Sequence, residues 1–279
     1  MSNQSSQRLI VFGAPASQPS RAVYWTCLLK QLPFELRQPD FFATGPSELA
    51  RHNPKRQVPT IVDGDFALYE MPAILVYLCE KHGWDDLYPR DLAVRAVTNQ
   101  YLHFHHSSTR LATLKLMAPH VTIAFPGFAE RVGAGGDGSD NADRGMDESL
   151  SESIRLALAA PDKLERGQAT LGKVAGMIET GYLRGDSAFL AGTPGATIAD
   201  IACYEELAQL RWANLFDFAG YPKLTRWLSA MAELPFHEPA HRYNVVLGDI
   251  QTEANTMERF LEASAAGVAA LEELGIPAS

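Results

Sequence analysis

The sequence predicts an α/β domain followed by an all-helical domain. Over residues 1–83, short β-branched and apolar runs alternate with segments of helical periodicity and end in a hairpin and a helix. From residue 91 to residue 279, strand patterns are absent and apolar residues recur at helical spacing. Between them, residues 84–90 contain the aromatic, acidic and proline-stopped stretch WDDLYP, which predicts a linker.

The first elements of the α/β domain follow from local composition. The apolar run RLIVF predicts a buried strand, and the next segment combines helical spacing with a proline in its first turn. In chain order, we predict a strand at Arg8–Phe12, a helix at Ser17–Lys30, a strand at Pro33–Arg37 and a short polar helix at Pro46–His52.

Residues 57–83 carry the most informative pattern in the chain. Thr60–Val62 and Phe66–Leu68 flank Asp63-Gly64, a pair that favours a tight hairpin turn. The proline of Val58-Pro59, which enters the first of these strands, is a candidate for a cis peptide bond. The acid Glu70 precedes an amphipathic helix, whose free N–H groups can bind a carboxylate while Glu70 meets an amino group. This order of elements predicts a site for a small extended peptide.

The second domain consists of helical patterns. We predict helices at Asp91–Met117, Leu150–Ile178 with an interruption near Pro161, Thr197–Ala213 and Leu224–Glu233. Thr197 and Asp200 have the spacing of a reciprocal capping box, which we interpret as structural. From about residue 250 the chain is predicted to form a helical tail, which either packs against the helical domain or covers the ligand site.

Residues 127–149 differ from the rest of the helical domain. They are rich in Gly, Asp and Ser and contain few large apolar residues, which predicts a mobile insertion. The aspartates lack the regular alternation and the terminal Glu of an EF-hand, so we predict no calcium site.

Composition narrows the function. The hydrophobic fraction of 46% is that of an ordinary soluble protein, and the net charge of −9 argues against nucleic acid and anionic membranes as partners. No apolar run reaches the roughly 20 residues of a membrane span, and the polar start MSNQSSQ is unlike a secretory signal. Cys27, Cys79 and Cys203 lie within apolar helical patterns, which predicts buried thiols in a reducing cytoplasm.

Residues 57–83 resemble the glutathione-binding half of the cytosolic glutathione transferases, and Ser17-Gln18-Pro19-Ser20-Arg21-Ala22-Val23 resembles the first helix of the theta class. The resemblance covers about Arg8–Leu116 and about Phe189–Phe236. It implies a thioredoxin-like domain, glutathione as co-substrate without a metal, and a homodimer. The implied activity is attack of the glutathione thiolate on a small electrophile, such as an alkyl or aryl halide or an epoxide. The alternative is a non-enzymatic binding or docking subunit of a larger assembly.

Ser17 is the candidate catalytic residue. Conjugation needs the thiolate, and a thiol with a pKa of about 8.5 is only a few per cent ionised at neutral pH. A hydroxyl that donates to the sulfur can lower this pKa by about one to two units, and a helix N-terminus adds to the effect. The resemblance gives Ser17 this role. A plain N-cap is the alternative for Ser17, Ser20 is the rival serine one turn on, and Cys27 lies too deep to substitute.

For glutathione, the resemblance implies that Val58 is the backbone anchor, with Pro59 and Gln57 beside it, and that Glu70 binds the γ-glutamyl end. The next residue is usually serine in the family and is Met71 here. Methionine keeps the backbone N–H but loses a hydroxyl, which weakens binding by about 1.5–3 kcal/mol.

A second departure concerns basic residues. The theta class places them between the second strand and the hairpin, whereas the loop Ala43–Ser47 is short and uncharged. Arg51, Lys55 and Arg56 are the alternatives for binding the glycine carboxylate.

On the long predicted helix, the resemblance places Ser107 against the glutathione of the partner subunit and Arg110 at the electrophile pocket. A surface ion pair is the alternative for Arg110. The adjacent His105 and His106 splay apart, so no metal site is predicted there.

Overall fold

The computed structural model describes residues 8–39, 47–124 and 163–279. The predicted insertion at 127–149 and the predicted helix start at Leu150 lie outside these ranges. A four-stranded sheet has the order β2-β1-β3-β4, in which β1 and β2 are parallel and the other neighbours are antiparallel. The strands are β1 (Leu9–Phe12), β2 (Phe34–Arg37), β3 (Thr60–Asp63) and β4 (Phe66–Tyr69).

Three helices accompany the sheet, and the rest of the described chain is helical. The first three are α1 (Gln18–Leu29), α2 (Glu48–His52) and α3 (Met71–His82). The others are α4 (Leu92–Phe104), α5 (Arg110–Ala124), α6 (Lys163–Met177), α7 (Ile198–Trp212), α8 (Pro222–Ala232), α9 (His237–Leu247) and α10 (Met257–Glu273). This arrangement confirms the predicted fold class, whereas the exact domain boundaries stay a prediction.

The hairpin turn lies one residue later than predicted. Asp63 pairs with Phe66 in the ladder, so the turn residues are Gly64 and Asp65, and Gly64 takes the positive φ of 65°. The side chain of Asp63 accepts hydrogen bonds from Tyr77 Oη, at 2.9 Å, and from the Lys81 ammonium. These contacts to α3 keep Asp63 in the strand.

The predicted helix Asp91–Met117 contains a π-helical turn. Residues His105–Thr109 form this turn between α4 and α5, which continues to Ala124. A second π turn, Ile178–Tyr182, follows α6. This second turn contacts α4 through an edge-on ring contact between Tyr182 and Tyr101, whose centroids are 5.2 Å apart.

The tail forms one helix and then returns to the sheet. Helix α10 packs against α9, as expected of a tail that packs on the helical domain. An added Cβ on Gly267 would lie 2.6 Å from Cβ of Pro15, which shows that α10 also closely approaches the loop before α1. The last residues then pair with β2: Leu36 N donates to Pro277 O at 2.9 Å, and Ser279 N donates to Leu36 O at 3.0 Å. Neither sequence-based alternative included this strand pairing.

The core runs through both domains and includes Trp25 and Trp227, which are almost completely buried. All three cysteines are buried and free, as predicted, and burial raises the pKa of each thiol. The capping box at Thr197 and Asp200 is also confirmed. Within the described residues, no helix is long and apolar enough to cross a membrane.

Candidate active site

Ser17 lies between the end of β1 and the start of α1. It is the N-cap of α1, and its Oγ accepts a hydrogen bond from Ser20 N at 3.3 Å. Capping uses a lone pair of the hydroxyl oxygen, whereas the hydroxyl hydrogen remains available to donate. The half-buried Ser17 can therefore cap the helix and donate to a sulfur at the same time, so the two interpretations from the sequence are compatible.

Ser20 has a different environment. Its side chain is completely buried, and its Oγ has no hydrogen-bond partner among the described residues. An added Cβ on Gly13 would lie 3.2 Å from this Oγ and 3.3 Å from Leu36 Cδ1, which places Ser20 between α1 and the sheet. Such a position is less suited than that of Ser17 to contact a bound thiol.

The loop before β3 has the predicted cis peptide bond at Val58-Pro59. Its shape depends on the buried Asn53, which the sequence analysis did not single out. Asn53 Nδ2 donates to Gln57 O and to Thr60 Oγ1, both at 3.0 Å, and Thr60 Oγ1 also donates to Gln57 O at 2.9 Å. The Gln57 carbonyl is thus engaged within the protein, which leaves the backbone of Val58 as the better predicted anchor.

Glu70 lies at the start of α3, with a φ of 70°. Its carboxylate pairs with Lys55 Nζ at 3.2 Å, and both side chains are nearly half exposed. An exposed ion pair of this kind contributes about 0–1 kcal/mol, so a ligand ammonium can compete for Glu70. Because α3 begins at Met71 and Pro72 has no N–H, the amides of Met71 and Ala73 are the first donors at this helix end.

The Met71 side chain points into the core. It is 5% exposed and belongs to the main hydrophobic cluster. The thioether chain of Met71 therefore fills the protein interior.

The polar residues that the sequence analysis singled out on the long helix lie partly at the surface and partly in the interior. Ser107 is exposed, and its Oγ donates to His103 O at 3.3 Å. Arg110 Nη1 donates to Oε1 of the buried Glu206 at 2.9 Å, so its guanidinium is engaged inside the helical domain. The roles of Ser107 and Arg110 toward a ligand stay predictions.

His105 and His106 do not converge on one point, because His105 is buried and His106 is exposed. Burial lowers the pKa of His105 to about 4, which favours the neutral ring at neutral pH. Among the described residues, no group of three or more His, Cys, Asp and Glu could hold a metal ion.

A buried ionic network next to Ser17 was missed by the sequence analysis. Arg21 Nε donates to Glu205 Oε2 at 2.7 Å, and His241 Nε2 lies 3.0 Å from Glu205 Oε1. Burial alone would raise the pKa of Glu205, but the neighbouring His241 and Arg21 outweigh it and lower this pKa. The network joins α1, α7 and α9 across the two domains. In the sequence, Arg21 could have indicated such a network, because it is a charged residue in a helix whose other residues are uncharged.

Comparison with known proteins agrees with this geometry. Residues 11–86 match the family described as the N-terminal domain of glutathione S-transferase. Human glutathione S-transferase theta-1 is 33% identical over 214 residues, which cover 76% of this chain and 77% of that protein. The chain belongs to the theta-like glutathione S-transferase family. The resemblance stated from the sequence is thereby confirmed.

Solved theta-class structures have the same fold. The ligand-free human glutathione S-transferase T1-1 superposes with a TM-score of 0.68 at 27% identity, over 94% of this chain and 99% of that one. A human theta-class transferase in complex with the glutathione conjugate of 1-menaphthyl sulfate superposes with a TM-score of 0.66 at 28% identity. That match covers 94% of this chain and 99% of the transferase.

Proposed function

We propose that this chain is a glutathione transferase that conjugates the glutathione thiolate to small electrophiles, with Ser17 as the residue that stabilises the thiolate. The observation that carries the proposal is the position of Ser17 at the junction of β1 and α1, where its hydroxyl can donate while its oxygen caps the helix. A theta-class relative is described in complex with a glutathione conjugate, which supports the same chemistry here. Members named as transferases lend no support to a docking subunit.

The chemistry follows from the pKa of the thiol. A hydrogen bond to a charged acceptor stabilises it by about 1.5–3 kcal/mol, and about 1.4 kcal/mol corresponds to one pKa unit. Donation from Ser17 Oγ therefore lowers the thiol pKa by about one to two units, and the α1 N-terminus adds a smaller effect of the same sign. The thiolate then attacks the electrophile and displaces its leaving group, or opens the ring of an epoxide.

We propose that glutathione lies across the start of α3 and the loop before β3. Glu70 binds the ammonium of the γ-glutamyl residue in place of Lys55, and the Met71 amide binds its carboxylate. Val58 supplies backbone pairing for the cysteinyl residue. Arg51, Lys55 and Arg56 are the candidate cations for the glycine carboxylate. A homodimer in the cytosol is proposed on the family resemblance alone.

The Ser17→Ala variant tests this function. We expect the pKa of the glutathione thiol in the binary complex to rise by about one to two units, because the donor to the sulfur is lost. Turnover of a chlorinated aromatic at neutral pH should fall about tenfold or more, with glutathione affinity changed by only a few fold. Ultraviolet absorption of the thiolate, followed against pH, measures the shift.

Ser20→Ala is the matched control for Ser17→Ala, because it removes a hydroxyl one turn away. It should leave the thiol pKa unchanged. A shift in Ser20→Ala alone would move the catalytic role to Ser20. A wild-type protein that is retained on glutathione resin but turns over no electrophile would instead support the non-enzymatic alternative.

The Met71→Ser variant tests the departure from the family pattern. We expect calorimetry to show tighter glutathione binding, since a hydroxyl is added beside the amides at the α3 N-terminus. We also expect the free energy of unfolding to fall by about 2–5 kcal/mol, as for other large-to-small changes of buried residues.

Met71→Ala separates the two effects, because it loses the same packing without gaining a hydroxyl. The serine variant should bind glutathione more tightly than the alanine variant, while both unfold at similar denaturant concentrations. Equal affinity in the two variants would show that position 71 does not contact the ligand through its side chain.

A further inference from the structure

Arg21 connects the two domains from a fully buried position. On one side, its Nε donates to Glu205 Oε2 at 2.7 Å, and its Nη2 lies 3.3 Å from Glu205 O and 3.4 Å from Gln209 Oε1, all on α7. On the other side, its Nη1 donates to Pro15 O at 2.8 Å. A single guanidinium thus ties helix α7 to the loop that leads into Ser17.

The loop is held from two directions by the same residue. The backbone N–H of Arg21 donates to Ser17 O at 3.0 Å, within the first turn of α1, while its side chain holds the carbonyl of Pro15. Between these points, Ser17 N donates to Ala14 O at 2.9 Å. The position of the Ser17 hydroxyl therefore depends on where Arg21 is fixed.

The anchor of Arg21 is itself fully engaged. Both carboxylate oxygens of the buried Glu205 have partners, since Oε1 lies 3.0 Å from His241 Nε2 and Oε2 accepts from Arg21. His241 in turn contacts His237 O through Nδ1 at 2.6 Å on α9. Buried charges that are paired on every side have little freedom to move, because any displacement leaves an unpaired charge.

We propose that Arg21 is a positioning residue for the thiolate chemistry, which places the Ser17 hydroxyl by holding the Pro15 carbonyl against the helical domain. Arg21 is completely buried and acts through Ser17 without touching glutathione. This inference rests on the proposed function. It gives a function to a buried cation in the domain interface close to the candidate catalytic serine, and it makes the helical domain part of the catalytic geometry. Displacements of about 1 Å at a reacting group can cost about a hundredfold in rate.

The Arg21→Lys variant tests the proposal. Lysine keeps the positive charge for Glu205 but lacks the planar fork that reaches Glu205 and Pro15 together. We expect the thiol pKa of glutathione bound to the full-length variant to rise by about one unit. The dissociation constant of glutathione should stay within a few fold of the wild-type value. In a Ser17→Ala background, the same substitution should give no further shift of the thiol pKa, because the hydroxyl that it positions is absent.

Tyr24→Phe is the matched control on the same helix. Tyr24 Oη donates to Ala240 O at 2.9 Å, so the variant loses a buried interdomain hydrogen bond that does not reach Pro15. Its melting temperature should fall while the thiol pKa stays unchanged. If Arg21→Lys does not fold, Glu205→Gln weakens the same anchor and should raise the thiol pKa in the same Ser17-dependent way.

Three results would overturn the proposal: an unchanged thiol pKa in folded Arg21→Lys, an equal shift in the Ser17→Ala background, or a comparable shift in Tyr24→Phe. These results leave the proposed function intact as long as Ser17→Ala shifts the thiol pKa. A wild-type protein that binds no glutathione would overturn the proposed function, and this inference with it.

Discussion

Ending the chain at Asn255 is expected to destabilise the protein by more than about 5 kcal/mol, because it removes the whole of α10. This helix buries Phe260, Ala263 and Leu271, and its Gly267 lies against Pro15. Truncation of a buried Phe to Ala alone costs about 3–5 kcal/mol. We expect chemical denaturation to show a much lower midpoint and light scattering to show aggregation, since the surface that Phe260, Ala263 and Leu271 pack against becomes exposed.

A chain that ends at Ile276 is the matched control for this truncation. It keeps α10 and removes only the residues that pair with β2, which donate and accept three backbone hydrogen bonds at Leu36 and Gln38. At about 0.5–1.5 kcal/mol for each bond, the loss should be about 1.5–4.5 kcal/mol. A chain ending at Asn255 that is as stable as the full-length protein would show that α10 is only peripheral. Unchanged stability with faster turnover of bulky substrates would indicate a lid.

The elements that could be predicted have their signal in neighbouring residues. The hairpin and α3 were visible because alternation, a turn glycine and helical spacing follow one another within residues 57–83. The capping box needed only Thr197 and Asp200, three residues apart. Even here the turn was predicted one residue too early. The hydrogen bonds that Asp63 accepts from Tyr77 and Lys81 come from α3, and local sequence does not show them.

Helix α9 was not predicted, and its buried face explains why. His241 and Asn244 are buried there beside Ala240 and Leu247, so the inward face does not appear apolar in the sequence. The partner that makes a buried His241 acceptable is Glu205, which lies 36 residues earlier on α7. Local periodicity cannot show such a pairing.

The residues of the candidate site also fall into two groups, those that local sequence could predict and those that depend on distant partners. Ser17 and the start of α3 could be proposed from local pattern and resemblance, whereas Arg21 gains its meaning only from Glu205, 184 residues away. The pairing of Pro277 and Ser279 with Leu36 likewise joins segments that are far apart in the sequence. The short terminal sequence IPAS has no strand pattern of its own, and it pairs because β2 is an edge strand.

Helix α7 connects most of these features. It carries Glu205, which anchors Arg21 below Ser17, and Glu206, which binds Arg110. Adjacent residues on a helix point in different directions, so α7 can pair with Arg21 of the α/β domain through Glu205 and with Arg110 of the helical domain through Glu206. The first turn of α7 is fixed by Asp200. An alteration at Asp200 should therefore disturb the framework of the candidate active site as well as the stability of the helical domain.

Asp200→Ala is expected to lower the free energy of unfolding by about 3–5 kcal/mol, because it removes a buried charge and leaves its partners without an acceptor. Asp200 Oδ1 accepts from Leu190 N and Trp227 Nε1, and Oδ2 accepts from Thr197 N and Oγ1, all within 2.9 Å. Burial raises the pKa of Asp200 above its usual value, and these donors lower it only in part.

Asp200→Asn should fail almost as badly as Asp200→Ala, although asparagine has nearly the same shape. With its NH₂ group at the Oδ1 position, asparagine faces the N–H groups of Leu190 and Trp227; at the Oδ2 position it faces Thr197 N–H, and only the Thr197 hydroxyl can turn to accept, so at least one buried donor loses its acceptor in either orientation. The exposed Asp217, which accepts from Ala219 N at 2.8 Å, is the matched control, and Asp217→Asn should change stability by less than about 1 kcal/mol. Denaturation curves of Asp200→Ala, Asp200→Asn and Asp217→Asn give the three free energies of unfolding to compare. A stable Asp200→Asn variant would mean that the carboxylate is not what holds the start of α7, and that packing around Trp227 fixes this helix beneath the candidate site.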